Sequence, residues 1–149
     1  MFKHILFPTD GSTLSGIALT KAVLLAKLAG AKLTALHVNG AYHPAYESEG
    51  FLMPEMKTLR ERFEAEETAR AQKILADVKK LATDLGAACE PVIVGDDSPY
   101  RAIIQHAERS GCEVIVMGSH GRRGLEGVLM GSVTHQVLTH TRVPVLVCR

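Results

Sequence analysis

The sequence concentrates glycine between residues 118 and 131, where five of its 13 glycines fall. Part of this stretch fits the spacing G-x2-G-x9-G-[ST], with Gly118 and Gly121 at the first two positions and Gly131-Ser132 at the end. Glycines let the backbone approach a ligand closely and turn its amide groups outward, which suits an anion. The series leads into a predicted helix that begins near Ser132, where free N–H groups and the helix dipole favour phosphate. These residues therefore predict a phosphate-binding loop.

Other nucleotide-binding motifs do not account for this glycine series. The Gly-Lys-[Ser/Thr] of a P-loop does not occur in the sequence, and the dinucleotide fingerprint G-x-G-x-x-G is also absent. Arg122 and Arg123 lie inside the series, and they either pair with phosphate or belong to a solvated loop. In such a turn His120 more often positions the backbone or contacts phosphate than acts as a general base, because no acid–base partner is marked. We therefore expect anion binding and assign no catalytic residue.

A second polar segment, Pro8-Thr9-Asp10-Gly11-Ser12, follows the first apolar run. In open α/β sheets, ligands bind at the carboxyl ends of the strands, where the strand order reverses. A carboxylate at that place favours a ligand-binding role for Asp10, and a helix-capping role is the alternative. If the strand order is 3-2-1-4-5, this segment and the glycine series border the same crevice.

Five short apolar runs predict the strands that position these segments. They lie at residues 2–7, 33–38, 92–94, 114–117 and 143–147. Most are continuously apolar, which is typical of parallel strands covered by helices on both faces. Helical patterns lie between them, and this alternation predicts a doubly wound α/β fold. We expect a single domain over residues 1–149, with a five-stranded parallel sheet of order 3-2-1-4-5.

Capping residues and apolar spacing predict the helices. The first helix is expected to begin after Ser12 and to end at Gly30, the next to close at Gly86, and the third to begin at Ser98-Pro99. A final helix should begin near Ser132. The apolar face of the first helix is expected to contain Leu14, Ile17, Ala18, Leu25 and Leu28. The inward residues of the final helix are expected to be Val133, Val137 and Leu138.

The composition excludes several function classes. Of 149 residues, 46% are hydrophobic and 22% are charged, which is ordinary for a globular domain, and the formal net charge of +1 argues against a nucleic-acid or membrane partner. Cys89, Cys112 and Cys148 are odd in number and widely spaced, so we predict core thiols rather than disulfides or zinc ligands. The histidines show no metal-ligand spacing. No signal peptide or membrane-length apolar stretch is visible, and a cytoplasmic protein is expected.

The glycine motif resembles that of the universal stress protein family, in its ATP-binding branch. The resemblance covers the whole chain, and it includes Pro8 to Ser12, His37-Val38, Met117 to Gly121 and the closing run Val143 to Val147. Four fixed positions between a strand and a helix make the motif specific. The family's fold is the doubly wound domain that the apolar runs predict independently.

The resemblance implies an ATP site, with Mg²⁺ as a possible companion of the nucleotide. The residue matching Asp10 holds the ribose or adenine side, the one matching Val38 touches adenine, and the glycine motif cradles the phosphates. The residues implied at this site are Pro8, Thr9, Asp10, Val38, Met117, Gly118, Ser119, His120, Gly121, Arg122, Gly131, Ser132, Val133 and Thr134.

The function implied is that of a stress-response sensor or adaptor whose surface depends on bound nucleotide. A slow ATPase or phosphotransferase is an alternative, and it would need a base and metal-binding carboxylates, for which Asp10, Asp96 and Asp97 are the candidates. A nucleotide-free interaction module is a third alternative. The intact glycine series argues against it, because glycine lowers stability unless the backbone requires it.

Two further expectations concern surfaces of the molecule. The last strand, Val143 to Val147, is an edge in the predicted sheet, and its apolar side chains with Pro144 predict a homodimer joined through it. The family resemblance implies the same dimer. Residues 40–54 have no clear period and hold three of the seven aromatic residues, so this loop is predicted to be a lid near the nucleotide, with local packing as the alternative.

Overall fold

The computed structural model describes residues 1–41, 54–120 and 130–149. Strands and helices alternate along these residues. The elements are β1 His4–Pro8, α1 Thr13–Ala29, β2 Lys32–Asn39, α2 Pro54–Asp84, β3 Cys89–Gly95, α3 Pro99–Arg109, β4 Val114–Gly118, α4 Ser132–His140 and β5 Val145–Cys148.

The five strands form one parallel sheet with the order β3-β2-β1-β4-β5, which confirms the predicted fold. β1 and β4 are buried along nearly their whole length because helices cover both faces of the sheet. The chain runs outward from β1 to β2 and β3, and then crosses back to β4. The strand order therefore reverses between β1 and β4, and a crevice opens at their carboxyl ends.

Two apolar clusters lie on opposite faces of the sheet. Ile5 and Phe7 of β1 pack beneath α1 and α2, and Leu6 packs in the cluster that contains residues of α3 and α4. This division follows from the alternation of side chains along a strand. The continuous apolar run of β1 therefore serves both clusters.

The buried face of α1 differs in part from the predicted one. Ala18 is buried as expected and Leu25 is half-buried, but Ile17 is 44% exposed and Leu28 is 80% exposed. The side chain of Leu14 lies outside those described. The residues that face the core are Ala18, Leu19, Ala22, Val23 and Ala26. Small residues every four positions let the helix backbone approach the sheet closely, and the leucine spacing alone did not show this.

Most of the predicted helix boundaries are confirmed. Ser12 caps α1, since its Oγ accepts the Ser15 N–H at 3.2 Å, and Gly30 ends it in the left-handed conformation at φ +60°. α3 begins at Pro99 after Ser98, although the Ser98 side chain makes no capping bond and its N–H instead donates to Asp96 Oδ1 at 2.8 Å.

The inward face of α4 also differs in part from the predicted one. Val137 is fully buried and Val133 is half-buried, but Leu138 is 38% exposed. Thr134 takes an inward position instead, because its hydroxyl donates to the Gly118 carbonyl at 3.0 Å. A polar side chain with a local partner can therefore replace an apolar one in the buried stripe.

The three cysteines are free thiols in the structure. Cys112 and Cys148 are buried and Cys89 is half-buried. Burial raises the pKa of the Cys112 thiol to about 11 and also raises the pKa of the other two. Within the described parts of the chain, no helix is long and apolar enough to cross a membrane.

Candidate functional site

A cleft of about 650 Å³ lies at the carboxyl ends of β1, β2 and β4, in the crevice where the strand order reverses. Most of the implied nucleotide-binding residues line it. They are Pro8, Thr9, Asp10, Val38, Met117, Gly118, His120, Gly131, Ser132, Val133 and Thr134. A volume of this size suits a drug-sized or nucleotide-sized ligand. The topology therefore brings the two segments singled out in the sequence to one place.

The turn after β1 is held by a network of short polar contacts. The Thr9 N–H donates to the Leu36 carbonyl at 2.9 Å, and the Thr9 and Ser15 hydroxyls lie 2.6 Å apart. The Ser12 N–H donates to Asp10 Oδ1 at 3.0 Å. Asp10 thus stabilises the turn before α1, which is the alternative role that the sequence allowed. It also lines the cleft, so the turn holds this carboxylate at the wall of the cleft.

Gly11 allows α2 to pack over this turn. Its φ is +76°, a conformation that residues with a side chain rarely adopt. A Cβ at this position would lie 2.8 Å from Cδ1 of Ile74 in α2. The backbone conformation therefore favours glycine here, and a side chain would in addition force Ile74 to shift.

His37 of β2 is buried beneath the cleft, with 3% of its surface exposed. Its Nδ1 lies 2.8 Å from the Thr9 carbonyl oxygen. Because a carbonyl oxygen can only accept, Nδ1 carries the proton in this contact. The ring therefore ties the end of β2 to the turn after β1, while the neighbouring Val38 lines the cleft.

The end of β4 and the start of α4 form the opposite wall. The Gly131 N–H donates to the Ser119 carbonyl at 2.7 Å, and the Thr134 hydroxyl donates to the Gly118 carbonyl at 3.0 Å. These contacts hold the first turn of α4 against the last residues of β4. Gly131, Ser132 and Val133 consequently line the cleft with the N-terminus of the helix.

Gly131 is the N-cap residue of α4, with φ −69° and ψ 150°. A glycine has no side chain that could accept a hydrogen bond from the first-turn N–H groups, and no side-chain cap is made here. The backbone N–H groups of the first turn, together with the helix dipole, favour an anionic oxygen at the helix N-terminus. The cleft therefore has a wall that is suited to phosphate.

Ser119 is the described member of the implied set that does not line the cleft. It is buried, its N–H donates to the Cys148 carbonyl at 2.8 Å, and its Oγ lies 3.0 Å from Nδ1 of His120. It therefore orients His120, which does line the cleft. Gly121, Arg122 and Arg123 lie outside the described residues, as does the predicted lid except for its ends at residues 40–41 and 54.

The sequence did not single out the contribution of α2 to the cleft. Glu67 and Arg70 line it and form an ion pair with 2.7 Å between Arg70 Nη2 and Glu67 Oε2. In the sequence they belong to a charged run that is typical of a solvated helix face. Only the packing of α2 beside the turn after β1 shows that they border a cavity.

The two aspartates after β3 have different roles. Asp97 lines the cleft, and its Oδ1 accepts the Ala41 N–H at 3.1 Å. Asp96 instead accepts the Ser98 N–H and lies 3.2 Å from Arg101 Nη2, and these two contacts lower the pKa of its carboxyl. Among the described residues, no group of three or more His, Cys, Asp or Glu side chains is placed to hold a metal ion.

Comparisons with known proteins agree with this architecture. A model of the universal stress protein family matches residues 1–149. Universal stress protein YxiE of Bacillus subtilis is 34% identical over 149 residues, with 100% of both chains covered. Universal stress protein MJ0577 of Methanocaldococcus jannaschii is 33% identical over 156 residues, covering 100% of this chain and 96% of its own. The solved structure of MJ0577 has a TM-score of 0.82 at 32% identity, covering 99% and 96% of the two chains.

Two further solved structures have adenine nucleotides bound. A universal stress protein in complex with cAMP has a TM-score of 0.71 at 23% identity, covering 99% of this chain and 97% of its own. The universal stress protein of Archaeoglobus fulgidus in complex with dAMP has a TM-score of 0.71 at 18% identity, covering 100% and 98%. At these identities the two structures are evidence for the fold alone. The match of the family model over the whole length and the relatives above 30% identity show that the chain belongs to the universal stress protein family.

Proposed function

We propose that the protein binds ATP in the cleft at the carboxyl ends of β1, β2 and β4. In this proposal the phosphates lie at the glycine-capped N-terminus of α4, and the ribose and adenine lie toward Asp10 and Val38. The observation that carries it is the position of the Gly131 N-cap, which places the first turn of α4 against the same cleft as the turn after β1. Phosphate oxygens supply the anionic acceptors that such a helix end favours.

The bound nucleotide is proposed to control a sensor or adaptor role in the stress response. The cleft is bordered by segments from β1, β2, α2, α3 and α4. A ligand that contacts all of them changes the relative stability of their arrangements. Any Mg²⁺ that accompanies ATP would be held mainly by the phosphate oxygens and water, which is its usual mode of binding with nucleotides.

A slow ATPase or phosphotransferase is the second candidate function. Two observations favour it. The Ser119 Oγ lies 3.0 Å from Nδ1 of His120 and so positions this ring at the cleft, and Asp97 lines the same cleft. His120 would then act as the base and Asp97 as a metal-binding carboxylate. A nucleotide-free interaction module is the third alternative.

Binding and turnover of labelled ATP by the purified protein separate these functions. A sensor binds ATP and releases it unchanged, and an ATPase produces ADP at a rate that His120→Gln lowers. GTP and AMP serve as competitors: GTP tests whether the cleft recognises the adenine ring, and AMP tests whether it needs the β- and γ-phosphates. A protein with intact circular dichroism that binds none of the adenine nucleotides would contradict the proposal and support the third alternative.

We also propose that two copies associate through β5. This strand is an edge of the sheet, and its Leu146 side chain is 44% exposed. An uncovered apolar edge favours pairing with another strand, and two-fold symmetry is the commonest solution in oligomers.

Light scattering at micromolar concentration tests the dimer. Leu146→Lys places a charge on the edge, while Leu28→Lys places the same charge on the exposed face of α1 as a control. Val145→Lys and Val147→Lys are less specific, because both valines are half-buried. We expect Leu146→Lys alone to produce monomers. A monomeric unaltered protein would rule out the dimer, and a dimeric Leu146→Lys variant would rule out β5 as its surface. The cytoplasmic location stays a prediction, which cell fractionation can check.

A further inference from the structure

A second cleft, of about 270 Å³, lies at the amino-terminal end of the sheet, on the edge opposite the proposed nucleotide site. Its polar lining residues are His4, Lys32, Thr34, Glu90, His106 and Ser110. None of them lines the larger cleft. Two imidazoles, an ammonium group and a carboxylate therefore share a cavity that the proposed ATP function does not use.

The strand register explains why these side chains meet. His4 pairs with Lys32, and Thr34 pairs with Glu90 in the parallel ladders. Their side chains emerge on one face of the sheet because residues two apart share a face. The last turn of α3 covers this face and brings His106 to the cavity. The cluster thus depends on regular secondary structure rather than on a binding loop.

His4 is held by contacts on both ring nitrogens. Nδ1 lies 3.1 Å from the Ser110 carbonyl oxygen, which can only accept, so Nδ1 carries a proton. Nε2 lies 2.8 Å from the Thr34 hydroxyl and 3.7 Å from Cys112 Sγ. The Thr34 hydroxyl can donate to a neutral ring or accept from a protonated one, so the ring can take up a proton without losing this contact.

His106 faces the same charged groups. Its Nε2 lies 3.3 Å from Ser110 Oγ. Burial lowers its pKa, the positive charges of His4 and Lys32 lower it further, and Glu90 raises it. The protonated form is therefore disfavoured mainly because it leaves water and meets other cations, and an anion in the cavity would stabilise it by adding a negative charge beside the ring.

The charge of the cavity depends on the two histidines. Lys32 Nζ lies 2.5 Å from Glu90 Oε2, and this contact lowers the pKa of the Glu90 carboxyl, so these two charges compensate each other. The Cys112 thiol stays neutral because burial raises its pKa to about 11. The Glu113 carboxylate, which follows Cys112 in the chain, is not among the lining residues and accepts the Lys3 N–H at 2.6 Å. Protonation of both imidazoles therefore adds two positive charges that no further carboxylate among the lining residues compensates.

We propose that this second cleft is a proton-linked binding site for a small oxyanion, of the class of phosphate, sulfate or a short carboxylate. Lys32 and a protonated His106 supply charge-assisted donors, and the Thr34 and Ser110 hydroxyls supply neutral ones. A protonated His4 contributes its charge, while its two N–H groups stay on the Ser110 carbonyl and the Thr34 hydroxyl. Anion binding and proton uptake then favour each other. A bound anion raises the proton affinity of the imidazoles by the same factor as protonation raises the affinity for the anion. Acidification would thereby favour anion binding at the end of the sheet opposite the proposed nucleotide cleft.

Inorganic sulfate is the probe, because its charge stays constant while the histidines titrate. Imidazole resonances of the full-length protein are followed by NMR from about pH 8 to about pH 5, in sulfate and in chloride of matched ionic strength. We expect sulfate to shift the His4 and His106 resonances and to move the His106 titration to higher pH. We also expect sulfate affinity to rise as pH falls, by about tenfold per pH unit for each proton that is taken up on binding. His4 and His106 resonances that respond no more than that of His140 would overturn the proposal.

Variants localise the binding. His106→Gln and Lys32→Gln should each weaken sulfate binding at about pH 5.5 by about tenfold, while His140→Gln, the same change outside the cavity, should have no effect. Gly131→Val removes the competing anion site in the other cleft and should leave the His106 response unchanged. Sulfate affinity that is unaltered in His106→Gln, or lost in Gly131→Val, would contradict the assignment. The wild-type titration decides the question even where a variant does not fold.

Discussion

The two ends of the sheet hold polar groups in different ways. At the carboxyl end, the larger cleft is built from turns and a helix N-terminus, with Gly11 where a side chain would meet Ile74 and Gly131 as the N-cap of α4. At the amino end, the smaller cleft is built from side chains of regular strands and the last turn of α3. Backbone N–H groups do not titrate, whereas imidazoles do near neutral pH. Ligand affinity in the first cleft should therefore depend on its glycines, and ligand affinity in the second cleft should depend on pH.

The largest effect is expected from Gly131→Val. A branched side chain at the N-cap of α4 would crowd the wall that is proposed to hold phosphate, and ATP affinity should fall by far more than tenfold, which corresponds to more than about 1.4 kcal/mol. Isothermal calorimetry measures the loss. Gly118→Val should act in the same direction.

Gly95→Val is the matched control for this substitution. It lies at the end of β3, with no atom within 4 Å of the added Cβ and outside the lining of the cleft. It should bind ATP as the unaltered protein does. If Gly131→Val folds and binds within about twofold of wild type, the distinction between a backbone-built and a side-chain-built cleft is wrong.

Gly11→Ala tests the close packing at the carboxyl end. The added Cβ meets Ile74 and the positive φ strains any residue with a side chain, so the free energy of unfolding should fall by about 1–3 kcal/mol. Gly16→Ala, inside α1 with open space around its Cβ, should instead raise stability by about 1 kcal/mol. Urea denaturation measures both. Equal effects of the two substitutions would show that Gly11 is not required by its surroundings.

Thr134→Val tests the contact that joins α4 to β4. The substitution keeps the shape of the side chain but removes the hydroxyl that donates to the buried Gly118 carbonyl, and should lower stability by about 1 kcal/mol. ATP affinity should fall as well, because the first turn of α4 is then held less firmly. Thr139→Val, on the exposed end of the same helix, is the control. If Thr134→Val lowers stability but binds ATP with full affinity, the contact between Thr134 and Gly118 is not needed for nucleotide binding.

The smallest effect is expected from the acid sensitivity of His106. Its pKa is lowered in the folded protein, so as pH falls below about 6.5 the unfolded chain takes up this proton first. Stability is therefore lost progressively as pH falls from there to the folded-state pKa, and no further below it. His106→Gln should reduce the loss measured by urea denaturation between pH 7.5 and pH 5.5. An unchanged loss would show that His106 is not destabilised by its neighbours.

The sequence predicted much of the fold because its signals are local. Continuous apolar runs indicate buried parallel strands, and Ser12, Gly30 and Pro99 mark helix ends through contacts within a few residues. The face that α1 buries was predicted only in part, since Ile17 and Leu28 lie on an apolar stripe that points to solvent. Helical spacing identifies stripes, but the sheet selects which stripe it contacts.

The proposed nucleotide cleft could be anticipated from its motifs, and the second cleft could not. Glycine series and an aspartate after a strand are contiguous in sequence, so their spacing carries the information by itself. His4, Lys32, Glu90 and His106 are spread over about a hundred residues, and nothing in their spacing relates them. Their meeting depends on parallel strand register and on the packing of α3. The sequence by itself determined the fold class and the motifs that border the proposed nucleotide cleft, because both follow from local conformational preferences. Only the tertiary structure decided which charged side chains share a cavity, because that depends on contacts between residues far apart in the chain.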